Sequence, residues 1–253
     1  MDINRLIDGF IGSGSEQQAS PGQQKKSGLS NAMSGFPGGL AGGAAAGGLV
    51  ALMLGSKKAR KLGGKALTYG GMAAVGGLAY KAYSDYRKSQ QSLPSQQGQA
   101  APPRSVPPEP IRSIPPAPAD SGFDPAQQQD RNGNDLRLGL VQAMISAAKA
   151  DGHIDTAEND NIRAQINSTN LAADEKGFLF DQLGAASDPI AIANLAGDET
   201  QASELYLASA LTIDINTPEE SRYMERLGDA LRLPDALRQQ LLAHAEAAKA
   251  GSE

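Results

Sequence analysis

Proline places the first constraint on this chain. Ten of its 15 prolines lie between residues 94 and 125, inside the run SQQSLPSQQGQAAPPRSVPPEPIRSIPPAPADSGFDPAQQQDRNGND. Proline lacks a backbone donor and clashes in a helix interior, and the apolar residues here are too sparse to offset the entropy of ordering. Residues 89–135 are therefore expected to form a disordered, partly polyproline-II linker. That leaves residues 1–88 and 136–250 to build structure separately.

These two parts differ in charge and composition. Residues 1–88 carry 11 Lys/Arg against 4 Asp/Glu, whereas residues 136–253 carry 9 against 19, so the overall −5 conceals a basic front and an acidic back. Such asymmetry points to a surface-seeking front and a solvated back. Of the 29 glycines, 19 precede residue 89. The chain has no Trp and only 4% aromatic residues, which argues against one uniform large core. The absence of Cys excludes disulfides, thiolate metal sites and Cys nucleophiles.

In the front part, Ile3, Leu6, Ile7, Phe10 and Ile11 follow the spacing of one helical face, with Gly12 placed to end it. This helix can lie on a membrane, dock on a partner helix, or pack on its own protein. No charged residue occurs from Ser27 to Ser56. Within that stretch Gly38–Leu54 is long enough for a rise of roughly 26 Å as a helix, just under a hydrocarbon core of about 30 Å. Gly39, Gly43 and Gly47 form a G-x-x-x-G ladder suited to close helix association, hence to self-association. Lys57, Lys58, Arg60, Lys61 and Lys65 follow, then a shorter uncharged stretch, Ala66–Tyr80. Tyr80, Tyr83 and Tyr86 beside Lys81, Arg87 and Lys88 have the composition of an interfacial anchor. The expectation is a membrane-associated front with Gly38–Leu54 as a single span. The positive-inside rule then puts the basic cluster and the acidic part on the cytoplasmic side. The basic cluster lacks interleaved base-stacking aromatics, so nucleic acid is not expected as a partner.

From Leu136 onward the pattern is helical throughout, with no period-2 alternation. Leu136, Leu140, Met144 and Ile145 mark a first helix, and Asp155 with Glu158 has the spacing of a capping box opening a second. Further starts fall near residue 172, at Asp188-Pro189, before Leu205, at Thr217-Pro218-Glu219-Glu220 and at Pro234. The fold class expected is all-α, ending in a bundle of six or seven short helices.

The segment Asp151-Gly-His-Ile-Asp-Thr-Ala-Glu158 matches the second half of an EF-hand loop. Gly152 allows the sharp turn, and Asp151, Asp155 and Glu158 supply hard oxygens. The first half fails, because Ala147 and Lys149 stand where carboxylates belong. Asp214, Asn216 and Glu219, at another helix junction, are a second source of oxygens. If the two junctions meet, Asp151, Asp155, Glu158, Asp214, Asn216 and Glu219 can surround one divalent ion, calcium or magnesium. The competing reading is helix capping, since acidic residues favour first turns. His244 is read as a surface or satisfied core residue. No catalytic triad, phosphate-binding loop or zinc spacing occurs, so the chain is not expected to be an enzyme.

MDINRLIDGF, LMLGSKKARKLGGKAL, AAKADGHIDTAE and LTIDINTPEESRYMERLGDAL together resemble the YebE-like family of bacterial inner-membrane proteins. The part after residue 136 is similar to the tellurite-resistance TerB-like domain. The resemblance implies a TerB-like all-α fold, an inner-membrane location, and a divalent-metal site at Asp151, Asp155, Glu158, Asp214 and Glu219. It also implies a non-enzymatic role, through a cation or an unknown protein partner, in an envelope or metal/tellurite stress response. The alternative is a peripheral scaffold that self-associates through its glycines, with the acidic loop purely structural.

Overall fold

The computed structural model describes residues 1–11, 71–91, 116–152 and 156–250, leaving aside the side chains of 71, 156–158 and 161. Among these residues all regular structure is helical. The helices are α1 (Ile3–Ile11), α2 (Gly71–Gln91), α3 (Leu136–Ala148), α4 (Thr156–Ser168), α5 (Ala173–Gly184), α6 (Pro189–Ala193), α7 (Glu199–Thr212), α8 (Pro218–Ala230) and α9 (Asp235–Ala250). Two 3₁₀ turns, Ala119–Ser121 and Pro125–Gln127, precede α3.

Capping residues explain where several helices begin. Asp135 accepts from the backbone N–H of Arg137, Asp188 from Ile190 and Ala191, and Asp198 from Gln201. Each satisfies donors that a first turn leaves unpaired. At α8 the capping box expected from Thr217-Pro-Glu-Glu220 is closed: Thr217 Oγ1 accepts from the Glu220 N–H, and Glu220 accepts from the Thr217 N–H at 3.0 Å. The Pro at its first position has no N–H to lose.

α7 lies at the centre, packed by α3, α9 and α2. Its residues Gln201 to Thr212 are all buried. The core is not confined to residues 136–250. α1 lays Leu6, Ile7, Phe10 and Ile11 against α3 and α2, so the reading in which it packs on its own protein holds. Each such side chain contributes about 1.5–3 kcal/mol by leaving water.

Three sequence expectations give way here. Met72, Val75, Leu78 and Ala79, from the second uncharged stretch, are buried in the same hydrophobic cluster as the C-terminal helices. Small and aliphatic residues suit a protein interior as well as a bilayer. The tyrosines likewise face protein rather than an interface. Tyr86 is buried, and Tyr80 and Tyr83 pack on Phe123 with ring centroids 5.7 and 5.6 Å apart. Phe123 itself belongs to the expected linker, and it is only 3% exposed. Residues 116–135 are thus built into the fold, through Phe123, Pro125 and a bridge between Gln129 and Asp135. Gly76 is required where they meet, because a Cβ there would sit 2.2 Å from the Phe123 carbonyl oxygen.

No helix among the described residues is long and apolar enough to cross a membrane. Gly38–Leu54, the Gly39/Gly43/Gly47 ladder and the Lys57–Lys65 cluster lie outside the described residues.

Candidate functional site: two acidic helix junctions

The first junction follows α3. The backbone turns at Gly152, whose φ of 72° is the left-handed conformation that glycine adopts without strain. Lys149, which occupies a would-be ligand position, has a different task. Its ammonium donates to the carbonyls of Gln182 (3.2 Å), Leu183 (2.7 Å) and Ala185. A cation at the carbonyl-rich end of α5 complements the helix dipole. Burial lowers the Lys149 pKa. Asp151 is half-buried, and Asp155 and the side chain of Glu158 lie outside the described residues.

The second junction joins α7 to α8, and a lysine again closes the helix end. Lys249, from α9, donates to the carbonyls of Ala210 (3.3 Å) and Ile213 (2.9 Å) and to Asp214 Oδ1 (3.2 Å). It also pairs with Glu246, and its side chain is 6% exposed. Asp214 therefore faces an ammonium. Glu219, one turn into α8, pairs with Arg222, and the Asn216 N–H donates to Glu220 at 3.1 Å. Among the described residues no three Asp, Glu or His side chains converge in a way that could hold a metal ion. Of the five residues expected to ligate, the described ones thus show two carboxylates engaged with protein cations.

Two polar features, the lysine caps and Glu204, escaped the sequence reading, and a third, His244, was expected either at the surface or in the core and is buried. The lysine caps reach across more than thirty residues and leave no local signature. His244, within α9, is buried, with Nε2 3.2 Å from Asp85 Oδ2 of α2 and Nδ1 without a partner. Burial lowers the His244 pKa, with nearby Lys81 adding to the effect against the pull of Asp85. Asp85 is held below the usual carboxylate range: burial works to raise it, and the Lys81 and His244 contacts together outweigh that. Glu204, in the middle of α7, is fully buried. One oxygen accepts from Gln128 Nε2 at 3.2 Å and the other has no partner. Burial, reinforced by Asp198 and Asp124, pushes its pKa up to about 8 despite the Gln128 hydrogen bond. It is therefore mostly protonated at neutral pH.

A cleft of about 560 Å³ lies between the start of α7 and the end of α8. Arg131, Asn194, Asp198, Glu199 and Arg232 line it. Its lining carries charges of both signs.

No solved structure matches the chain. A protein of Yersinia enterocolitica described as "Uncharacterized protein in ampR 5'region" is 30% identical over 99 residues, which is 39% of this chain and 71% of that protein. The family described as "Protein of unknown function (DUF533)" matches residues 39–245, a span that takes in the Gly-rich stretch, α2 and every helix from α3 to α8. The chain belongs to this family.

Proposed function

We propose that the chain is a non-enzymatic module of the bacterial inner-membrane surface, with its acidic helical body presented to a protein partner on the cytoplasmic side. One observation carries this reading. α1 and α2, which flank the Gly-rich stretch and the basic cluster, are both packed into the acidic body. The membrane-seeking sequence is thus joined to the body by helix packing on either side, an arrangement suited to holding a docking surface at a bilayer. The TerB-like resemblance and an envelope or metal/tellurite stress role belong to the same proposal. Fractionation of cells with a carbonate wash tests it. A membrane module stays with the pellet, whereas release into the wash supports the peripheral scaffold that self-associates through Gly39, Gly43 and Gly47.

A second reading concerns a divalent cation at the first junction, and the left-handed turn at Gly152 favours it. It is narrower than the five-residue shell expected from sequence, because Asp214 and Glu219 are engaged with Lys249 and Arg222. With Asp151, Asp155 and Glu158 as the protein ligands, affinity falls toward the millimolar end of oxygen sites. At a hundred times its dissociation constant an ion stabilises the fold by about 2.7 kcal/mol. Calcium or magnesium should then raise the Tm of the full chain, and Glu158→Gln should abolish the rise while leaving the ion-free Tm nearly unchanged. An equal Tm with and without millimolar calcium, magnesium, manganese and zinc rejects this reading.

A further inference from the structure

Gln201 and Glu204 stand three residues apart, hence on one face of α7, and both reach the segment between Phe123 and Asp135. Gln201 Nε2 donates to the Gln129 carbonyl at 2.9 Å. Gln128 Nε2 donates to Glu204 at 3.2 Å and to the Gly122 carbonyl at 2.6 Å. The Arg131 N–H donates to the Leu195 carbonyl at 2.8 Å, just before α7. Phe123, packed on Tyr80 and Tyr83, anchors one end of the segment, and Asp135, capping α3, anchors the other. Between these anchors only Pro125 and Asp130 are buried. Regular structure there is limited to the 3₁₀ turn Pro125–Gln127 and the bridge from Gln129 to Asp135. Glu204, fully buried, is thus covered on this side by a lightly held strap.

The closed arrangement suits Glu204 only as a neutral acid. One of its oxygens has no partner. Asp198, at the start of α7, and Asp124 of the strap act on it, and both are acidic. The cations of the helices packed against α7 are engaged elsewhere. Lys81 and Lys88 of α2 pair with Asp85, which also meets His244 of α9, and Arg87 stacks over Tyr83. Arg137 of α3 pairs with Asp135. In α9, Arg238 pairs with Asp229 and Asp235, and Lys249 with Asp214 and Glu246. Glu219 and Glu220 of α8 are held by Arg222 and Thr217, its Arg222, Glu225, Arg226 and Asp229 are exposed, and α6 carries no charge. A carboxylate taken out of water without a compensating cation is strongly disfavoured. Water is the remedy, and lifting a lightly held segment admits it at less cost than unfolding the helices.

We propose that the segment Asp124–Gly133 is a pH-gated strap, closed over α7 while Glu204 is protonated and lifted from it when Glu204 ionises. Lifting breaks the bonds from Gln128 to Glu204, from Gln201 to Gln129 and from Arg131 to Leu195, and it leaves the helices in place. The direction follows from proton binding. In the closed state Glu204 titrates at about 8, and in water it returns toward 4.5. Between these values the closed state binds more protons than the open one. Opening therefore becomes about tenfold easier per pH unit over that interval and levels off above about 8. The device is contained in the helical body and is independent of membrane attachment.

Amide hydrogen exchange of the full chain, corrected for the intrinsic pH dependence of exchange, tests this. The reporters are the N–H groups of Arg131 and Leu136, which donate to the carbonyls of Leu195 and Gln128. Their protection should fall about 100-fold between about pH 5.5 and 7.5, and at each pH it should stay below that of the α7 interior. Glu204→Gln keeps the shape of the site and should abolish the pH dependence, leaving the strap as protected as in the parent at low pH. Gln128→Ala, a change confined to the strap, gives a second arm. It should speed strap exchange about fivefold at every pH, as expected for one lost hydrogen bond, while the pH dependence persists. Protection of Arg131 and Leu136 that does not change with pH overturns the proposal, as does a pH dependence that survives in Glu204→Gln. Strap amides that exchange only as slowly as the α7 interior overturn it too, since the segment would then open only with the whole body. So does strap exchange in Gln128→Ala equal to that of the parent.

Discussion

α7 and α8 follow one another along the chain and bury themselves in opposite ways. α8 has one apolar face, Tyr223, Met224, Leu227 and Gly228, and leaves Ser221, Arg222, Glu225 and Arg226 in water. α7 is enclosed on all sides from Gln201 to Thr212, although that span contains one Gln, one Glu, two Ser and one Thr. The difference lies in where the polar groups turn. Ser203, Ser209 and Thr212 donate to the carbonyls of Glu199, Leu205 and Ala208, at 2.8, 3.1 and 2.8 Å. This i−4 bonding satisfies hydroxyls within the helix's own backbone. Gln201 caps the Gly197 N–H and donates to the Gln129 carbonyl. A helix can thus be central without being uniformly apolar, provided its polar side chains are short or have a fixed partner.

Truncation should separate the two helices most sharply. Leu205→Ala removes a fully buried side chain from the middle of α7 and should cost about 2–5 kcal/mol. Ser221→Ala, on the exposed face of α8, should stay within about 0.5 kcal/mol. Urea denaturation of the full chain measures both. Equal effects would show that α7 is less central than its burial indicates.

Glu204 is the one α7 side chain with a polar atom left unsatisfied, and its removal should stabilise. Its folded pKa of about 8 stands above the ordinary 4.5. Between these values the folded state binds more protons than the unfolded one. The contribution is therefore fully present below about pH 4.5 and is lost as pH rises through about 8. Glu204→Gln keeps the shape and removes the titration. The variant should gain roughly 3 kcal/mol over the parent between pH 5 and pH 8, at about 1.4 kcal/mol per pK unit. Denaturation at both pH values reads this, and a pH-independent difference would show that Glu204 is not buried as a neutral acid.

The contrast between α7 and α8 also marks what the residues alone could reveal. The Thr217-Pro-Glu-Glu and Asp188-Pro signals identify helix starts because capping is local, and they agree with the starts of α8 and α6. α7 reads as one-faced through Leu205, Tyr206, Ser209 and Ala210, since nothing in the sequence says that its serines bond backward. α2 reads as membrane-seeking because Gly, Ala and Leu pack equally well against protein. Phe123, one aromatic in a Pro-rich run, carries no periodicity, and its partners Tyr80 and Tyr83 are forty residues earlier. At the junctions, the acidic residues and Gly152 were visible, but Lys149 and Lys249 act on carbonyls brought near only by tertiary folding.

A smaller effect probes the start of α8. Thr217→Ala opens the capping box and should cost about 1 kcal/mol. The loss should appear as faster amide exchange in the first turn of α8 more than as a global change. Uniform destabilisation across the chain would mean that this turn unfolds with the core.

The smallest effect expected is that of Glu219→Gln, and it bears on the chemistry of the second junction. The Glu219 and Arg222 side chains are 44% and 65% exposed. An exposed pair three residues apart on a helix contributes about 0.3–0.5 kcal/mol at most, and raising the salt concentration should erase even that. Magnesium should leave this small difference unchanged, because Arg222 occupies the carboxylate and Asp214 is turned to Lys249. If millimolar magnesium raised the Tm of the parent but not of Glu219→Gln, the ion would have to displace Arg222. The second junction would then be a cation site, and the assignment of Glu219 to a surface ion pair would fail. A Tm difference that is small, salt-sensitive and indifferent to magnesium confines any cation to the first junction.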